Sequence, residues 1–227
     1  MAMRLDQIIP WGRTFREYEL MFQLGPEELA SGILDCGGGP ASFNSELSAR
    51  GHRVVSIDPI YAFTGADIRA RFDTAAPGVM EQVAATPDDW DWSYHRDPAG
   101  LFANRTAALE RFLADYERGL AERRYRCGEL PVLDFHDGEF GLALSSHLLF
   151  LYSELLPAAI HIRSVQALCR VAREVRIFPL LDINGRVSPH LEVVREAVNE
   201  LGRRSEIVKV GYGMQRGGNE MLRIFCG

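Results

Sequence analysis

The sequence predicts an α/β fold built on a parallel sheet. A short apolar run ends in three consecutive glycines, and a helical pattern and a second apolar run follow directly. The chain then closes on two alternating segments joined by a short polar link, which reads as an antiparallel pair. With 227 residues, 47% hydrophobic and 25% charged, the chain suits one domain over residues 1–227 with a sizeable core.

Residues 32–36 form the first apolar strand, and Pro40 after the glycines suits the first turn of a helix. That helix runs through Phe43 and Leu47 and stops at Gly51, which suits a C-terminal cap. Residues 53–58 make the second strand, closed by Asp58-Pro59, so the unit is βαβ and its strands are parallel. Residues 66–85 read as loosely helical, and residues 87–95 form an irregular aromatic and acidic segment. Asp97-Pro98 opens a long helix whose apolar face repeats at Leu109, Phe112, Leu113, Tyr116 and Leu120. Residues 125–129 supply a short third strand. After a turn at residues 136–138, residues 140–145 make the fourth. Helical sequence, restarted at Pro157, leads to a fifth strand at 175–181. Ser188-Pro189 caps a helix carrying Leu191, Val194, Val198 and Leu201, ended by Gly202, and residues 206–212 and 220–226 are the closing strands.

Composition excludes several classes of function. The charge sum of −6 does not favour nucleic acid or an anionic membrane surface. Lys209 is the one lysine, so Schiff-base chemistry has little to work with, and no Gly-Lys-Ser/Thr triplet exists to bind phosphate. Cys36, Cys127, Cys169 and Cys226 are dispersed, which argues against a zinc or redox motif and against a disulfide framework. Asp134, His136 and Asp137 lie on a turn without further histidine support, so no metal site is expected. Residues 1–10 are too poor in apolar side chains for a secretory leader, and no run approaches the ~20 apolar residues of a bilayer span. The expectation is a soluble, cytoplasmic protein with no membrane partner.

Between strand and helix, the segment Asp35-Cys-Gly-Gly-Gly-Pro-Ala41 lets a ligand approach backbone amides that a Cβ would shield. It fits G-x-G-x-x-G poorly, since Ser42 would stand at the third glycine. Asp35, Gly37, Gly39 and Ala41 do fit the pattern acidic-x-Gly-x-Gly-x-small. On these residues the chain resembles the class I S-adenosylmethionine-dependent methyltransferases, over about residues 31–60 and 125–227. The resemblance implies a Rossmann-like, mostly parallel seven-stranded sheet of order 3-2-1-4-5-7-6 with strand 7 antiparallel and helices on both faces. It also implies S-adenosyl-L-methionine as cofactor, bound by Asp35, Gly37, Gly38, Gly39, Asp58, Glu129 and Ser145. Asp58 would accept the ribose hydroxyls, and Glu129 of Cys127-Gly-Glu129 would meet the adenine amino group. Residues 1–30 become a helical cap segment, and 60–124 an extended helical insertion or lid between strands 2 and 3.

Two departures bear on the substrate. Phe140-Gly141 stands where the family commonly has Phe-Asp, and Ser145-Ser-His-Leu-Leu replaces the Asn/Asp-Pro-Pro-Tyr signature of many amino-group methylating members. The expected reaction is methyl transfer to an unidentified small-molecule acceptor through an O, N or C nucleophile. His147 is the candidate general base. Arg13 is a candidate partner for the cofactor carboxylate, and Trp90, Trp92, Tyr94 and His95 are candidate walls for a planar substrate. A noncatalytic binding or scaffold protein that retains the fold is the alternative, and the oligomeric state is left open.

Overall fold

The computed structural model describes residues 10–227. The first nine residues, on which the expectation about a leader mainly rests, lie outside the described residues. Seven strands, β1 (Ile33–Cys36), β2 (Val54–Ile57), β3 (Tyr125–Arg126), β4 (Phe140–Ser146), β5 (Ala172–Phe178), β6 (Arg204–Lys209) and β7 (Glu220–Phe225), form one sheet of order β3-β2-β1-β4-β5-β7-β6. The five strands β1 to β5 pair in parallel, and β7 runs antiparallel to both β5 and β6. This is the order of the class I methyltransferase fold, reversed seventh strand included.

Among the described residues, seven α-helices accompany the sheet: α1 (Phe15–Phe22), α2 (Pro26–Ala30), α3 (Phe43–Ala49), α4 (Gly65–Ala85), α5 (Pro98–Ala121), α6 (Ala158–Val171) and α7 (Leu191–Glu200). Buried residues of α6 and α7, among them Val165, Leu168, Val194 and Val198, form one core with Leu34, Ala143, Val175 and Ile224 of the sheet. Phe15, Tyr18 and Phe22 of α1 form a second core with Phe43 and Leu47 of α3 and with Leu142 and Leu144 of β4. Burying a side chain of this size is worth about 1.5–3 kcal/mol, so both layers are held mainly by apolar contact. Residues 60–124 hold α4 and α5, which share a third cluster through Ile68, Phe72, Leu109, Phe112 and Tyr116.

Several boundaries differ from the sequence reading. Pro40 precedes α3 instead of opening it: the cap is Ser42, whose N–H donates to the Arg13 carbonyl at 3.0 Å, so residues 40–42 are tied to the N-terminal segment before the helix begins. Strand β3 shrinks to two residues at the sheet edge. Strand β5 begins at Ala172 and ends at Phe178, because Pro179 has no N–H to continue the ladder. Strand β6 begins at Arg204 and ends at Lys209. Helix α7 starts at Leu191, with Ser188 accepting from the His190 N–H just ahead of it. Although the dispersed cysteines argue against a disulfide framework, Cys169 of α6 and Cys226 after β7 are joined as a disulfide, both packing on the same core cluster. Among the described residues, no helix is long and apolar enough to cross a membrane.

Candidate functional site

Strands β1, β2 and β4 are in register, Cys36 facing Ile57 on one side and Ser145 on the other, so their carboxyl ends finish at one level. A sheet of this order reverses direction between β1 and β4, and ligands of open α/β sheets bind outside the strand ends at such a point. There the chain turns through Gly37 (φ +72°) and Gly39 (φ +57°), left-handed conformations that glycine adopts without a Cβ penalty. The Gly37 N–H donates to the Ile57 carbonyl at 2.9 Å, and the Gly39 N–H donates to Asp58 Oδ2 at 2.9 Å. Asp58 Oδ1 accepts from the Ile60 N–H at 2.9 Å, and the Tyr61 hydroxyl donates to the Gly39 carbonyl at 2.8 Å. The glycine loop is thus fixed from the end of β2.

The glycines differ in what surrounds them. A Cβ on Gly38 would strike the Asp35 carboxylate and the Tyr18 hydroxyl, whereas a Cβ on Gly39 would meet no heavy atom within 4 Å. Gly38→Ala is therefore expected to cost stability, about 1–3 kcal/mol as for other overpacked sites. Gly39→Ala is expected to cost only about 1 kcal/mol of backbone strain while projecting a methyl group into the space where a ligand would lie. Urea unfolding of both variants, set beside their ligand affinities, checks this contrast.

Asp35 and Ser145, both read from the sequence as cofactor residues, stand behind the cavity wall instead of in it. Asp35 is 1% exposed and accepts from the Tyr18 hydroxyl at 3.0 Å and from Ser56 Oγ at 3.1 Å. Ser145 is 0% exposed, and its hydroxyl has no partner. Burial lifts the Asp35 pKa to about 7 against the pull of the Tyr18 and Ser56 hydrogen bonds. Because the folded value is raised, the contribution of Asp35 to stability is complete below its ordinary value of about 4 and is lost as pH rises through about 7. Asp35→Asn should flatten this part of the pH–stability curve between pH 4 and 7. An unchanged wild-type slope in the variant would assign the slope to other groups.

Outside the strand ends lies a cavity of about 1050 Å³. Its wall brings together Gly37, Gly38, Gly39, Asp58, Glu129 and His147, which are scattered over 111 positions of the chain. Glu129 is exposed, and Gly128 beside it also lines the cavity. Helix α4 contributes Asp67, Ala70, Arg71, Thr74, Ala75, Val79 and Val83, one face that runs about 24 Å at 1.5 Å per residue. That face is polar toward Asp67 and apolar toward Val83. Of the aromatic segment only Trp90 lines the cavity. The Trp92 indole donates to the Pro87 carbonyl, and Tyr94 and His95 pack on Tyr212. Among the described residues no cluster of His, Cys, Asp and Glu is arranged to hold a metal.

Beneath the cavity lies a charged network that the sequence reading missed. Arg105, 1% exposed, reaches both Glu17 carboxylate oxygens at 2.8 and 2.9 Å. The Tyr212 hydroxyl donates to Glu17 Oε1 at 2.8 Å, and the Thr14 N–H and hydroxyl donate to Oε2 at 2.8 and 2.9 Å. Burial would raise the Glu17 pKa, but Arg105, His95 and Thr14 together outweigh it and hold the carboxyl well below the usual range. A signal for Arg105 does exist. It falls one helical turn before Leu109 on the buried stripe of α5 and one turn after Leu101, and a charge on an apolar stripe implies a buried partner.

Arg13, Arg105 and His147 all line the cavity. Arg13 donates to the Trp11 carbonyl at 2.6 Å, and Nε of Arg13 and Nε of Arg105 are buried without a hydrogen-bond partner. His147 (φ +52°) donates its N–H to the Phe178 carbonyl at 2.6 Å, and its Nδ1 lies 3.0 Å from the Ser146 hydroxyl. Burial, then the guanidinium groups of Arg13 and Arg105, hold the His147 imidazole neutral, its pKa well below the ordinary value.

No protein-family model matches the chain. An uncharacterized protein of Methanocaldococcus jannaschii is 27% identical over 223 residues, 98% of each chain. Among solved structures, a TehB-like S-adenosylmethionine-dependent methyltransferase from Corynebacterium glutamicum aligns at 16% identity and a TM-score of 0.47, covering 92% of this chain and 85% of its own. A magnesium protoporphyrin IX methyltransferase from Synechocystis PCC 6803 with bound S-adenosylmethionine aligns at 11% identity and a TM-score of 0.45, covering 87% and 71%. A possible histamine N-methyltransferase from Thermotoga maritima aligns at 12% identity and a TM-score of 0.44, covering 93% and 87%.

Proposed function

We propose that the protein is an S-adenosylmethionine-dependent methyltransferase acting on a small-molecule acceptor. The observation that carries this reading is the glycine loop, whose Gly39 is open to the cavity directly beside the Asp58 carboxylate. The residues present fit an adenosyl group. Asp58 can accept from paired ribose hydroxyls with the lone pairs that Gly39 and Ile60 leave free, Glu129 can accept from an adenine amino group, and a side chain at position 39 would occupy the same space. At about 1050 Å³ the cavity reaches the top of the range for single small-molecule sites, about 300–1,000 Å³, which suits two ligands held together.

When bound, the cofactor supplies a methyl group already activated on sulfonium, so the difficult chemistry is its own. What remains for the chain is alignment, which contributes roughly 7–11 kcal/mol in favourable cases. Gly37 to Gly39 and Asp58 fix the donor end, while α4 and the segment after β4 bound the acceptor end and exclude water. His147 borders that end. Its depressed basicity makes it a reluctant proton acceptor, so we assign it to hydrogen bonding and orientation of the acceptor, in place of the general-base role expected from the sequence.

Calorimetric titration of the purified protein with S-adenosylhomocysteine tests the reading. Micromolar binding is expected, and absence of heat at millimolar ligand would sink it.

A further inference from the structure

The cavity wall carries Arg13, Arg71 and Arg105 together with Asp58, Asp67 and Glu129, but among the described residues no ion pair joins any of these arginines to any of these acids. The Arg105 guanidinium is matched by the Glu17 carboxylate at 2.8 Å. Among the described residues, Arg13 has no carboxylate partner: it donates to the Trp11 carbonyl, and its Nε bonds to nothing. His147 and His95 are both held neutral by burial and by neighbouring arginines, so neither offsets it nor adds to it. The acids of the glycine loop are occupied, Asp35 by Tyr18 and Ser56, and Asp58 by Gly39 and Ile60. Arg13, half-buried on the cavity wall, therefore has no carboxylate within hydrogen-bond distance among the described residues, and Glu17 acts on it only from further away, across the Arg105 pair. Burying an unpaired charge is costly unless an anion meets it.

Beyond these arginines the cavity turns apolar. Val79 and Val83 of α4, Trp90 and Leu101, with Met214 packed against them, form one apolar cluster that contributes its walls there. An occupant of this end gains by burying hydrocarbon and by setting one negative group against the guanidinium.

We propose that the acceptor is an apolar carboxylate, its anionic group held at Arg13 and its hydrocarbon body against Val79, Val83 and Leu101. The word acceptor rests on the methyltransferase reading; the anion site itself does not. A carboxylate is also ionised at neutral pH, so it needs no base, in keeping with the weak basicity of His147 beside it. Its competitor for Arg13 is the carboxylate of the cofactor's own methionine portion, and the test separates the two.

The probes are benzoate, 1-naphthoate and decanoate, each titrated calorimetrically beside its uncharged amide, into protein with and without S-adenosylhomocysteine. At least one carboxylate is expected to bind about tenfold more tightly than its amide, about 1.4 kcal/mol. Arg13→Gln should abolish that preference and Arg13→Lys should keep part of it, while affinity for S-adenosylhomocysteine stays within about threefold in both. Equal binding of acid and amide across the panel, or no binding of any acid, overturns the proposal. So does a loss of S-adenosylhomocysteine affinity in Arg13→Gln as large as the loss for the acid, which would give Arg13 to the cofactor. Should Arg13→Gln fail to fold, the wild-type ratio of acid to amide decides alone. A wild-type protein that prefers the acid yet ignores S-adenosylhomocysteine supports the anion site and removes the methyltransferase reading.

Discussion

Replacing Asp58 with alanine is expected to weaken S-adenosylhomocysteine binding about a hundredfold, close to 3 kcal/mol. The figure follows from two hydrogen bonds to a charged acceptor, each worth roughly 1.5–3 kcal/mol. Part of the loss comes from the loop, because Asp58 also receives the N–H groups of Gly39 and Ile60 at 2.9 Å. Asp58→Asn keeps the volume but turns one acceptor into a donor aimed at a backbone N–H, so an intermediate loss is expected. Burial raises the Asp58 pKa against the pull of the Ile60 and Gly39 bonds. Affinity should therefore begin to fall at a higher pH, on acidification, than for a free aspartate. Isothermal titration of the three proteins across pH 4 to 8 measures all of this, and an Asp58→Ala variant that binds like wild type would remove Asp58 from the site.

Arg105→Met is expected to destabilise the fold by about 3 kcal/mol, because it leaves the Glu17 carboxylate buried beside Tyr212 and Thr14 with only the His95 ring, 3.4 Å away, to offset its charge. For a chain of this size that is a fall in Tm on the order of 10 °C. Glu17→Leu combined with Arg105→Met should recover most of the loss, since a well-packed apolar pair of similar volume needs no compensation. Glu17 also sets acid sensitivity. Its folded pKa is depressed, so its stabilisation is present above the ordinary carboxylate value of about 4.3 and is lost as pH falls toward the folded value. Urea unfolding at pH 7 and at pH 3.5 checks both claims, and a cost for Arg105→Met below about 1 kcal/mol would show that the pair contributes little.

Much of the frame was legible from local pattern. The glycine run between two apolar strands and the alternation at the chain end each have a short-range cause, so the sheet order followed once the family resemblance was seen. Asp58 was legible for the same reason, since it directly follows β2. Asp35 was harder, because proximity in the chain does not say whether a strand residue faces a cavity or Tyr18 and Ser56 behind it. The Glu17, Arg105 and Tyr212 network joins residues 88 and 107 positions apart, and no window of sequence holds both partners. A trace remained in Arg105 itself, a guanidinium spaced with Leu101 and Leu109 where a leucine would otherwise pack.

Helix α4 lines the cavity from Asp67 to Val83, with Asp67 and Arg71 toward one of its ends and Val79 and Val83 toward the other. Such a rod separates two kinds of evolutionary change. On the proposed methyltransferase reading, trading its later valines for larger or smaller residues would resize the acceptor end alone, leaving the glycine turn and Asp58 untouched. Relatives could then diverge in what they modify while keeping one way of holding the donor.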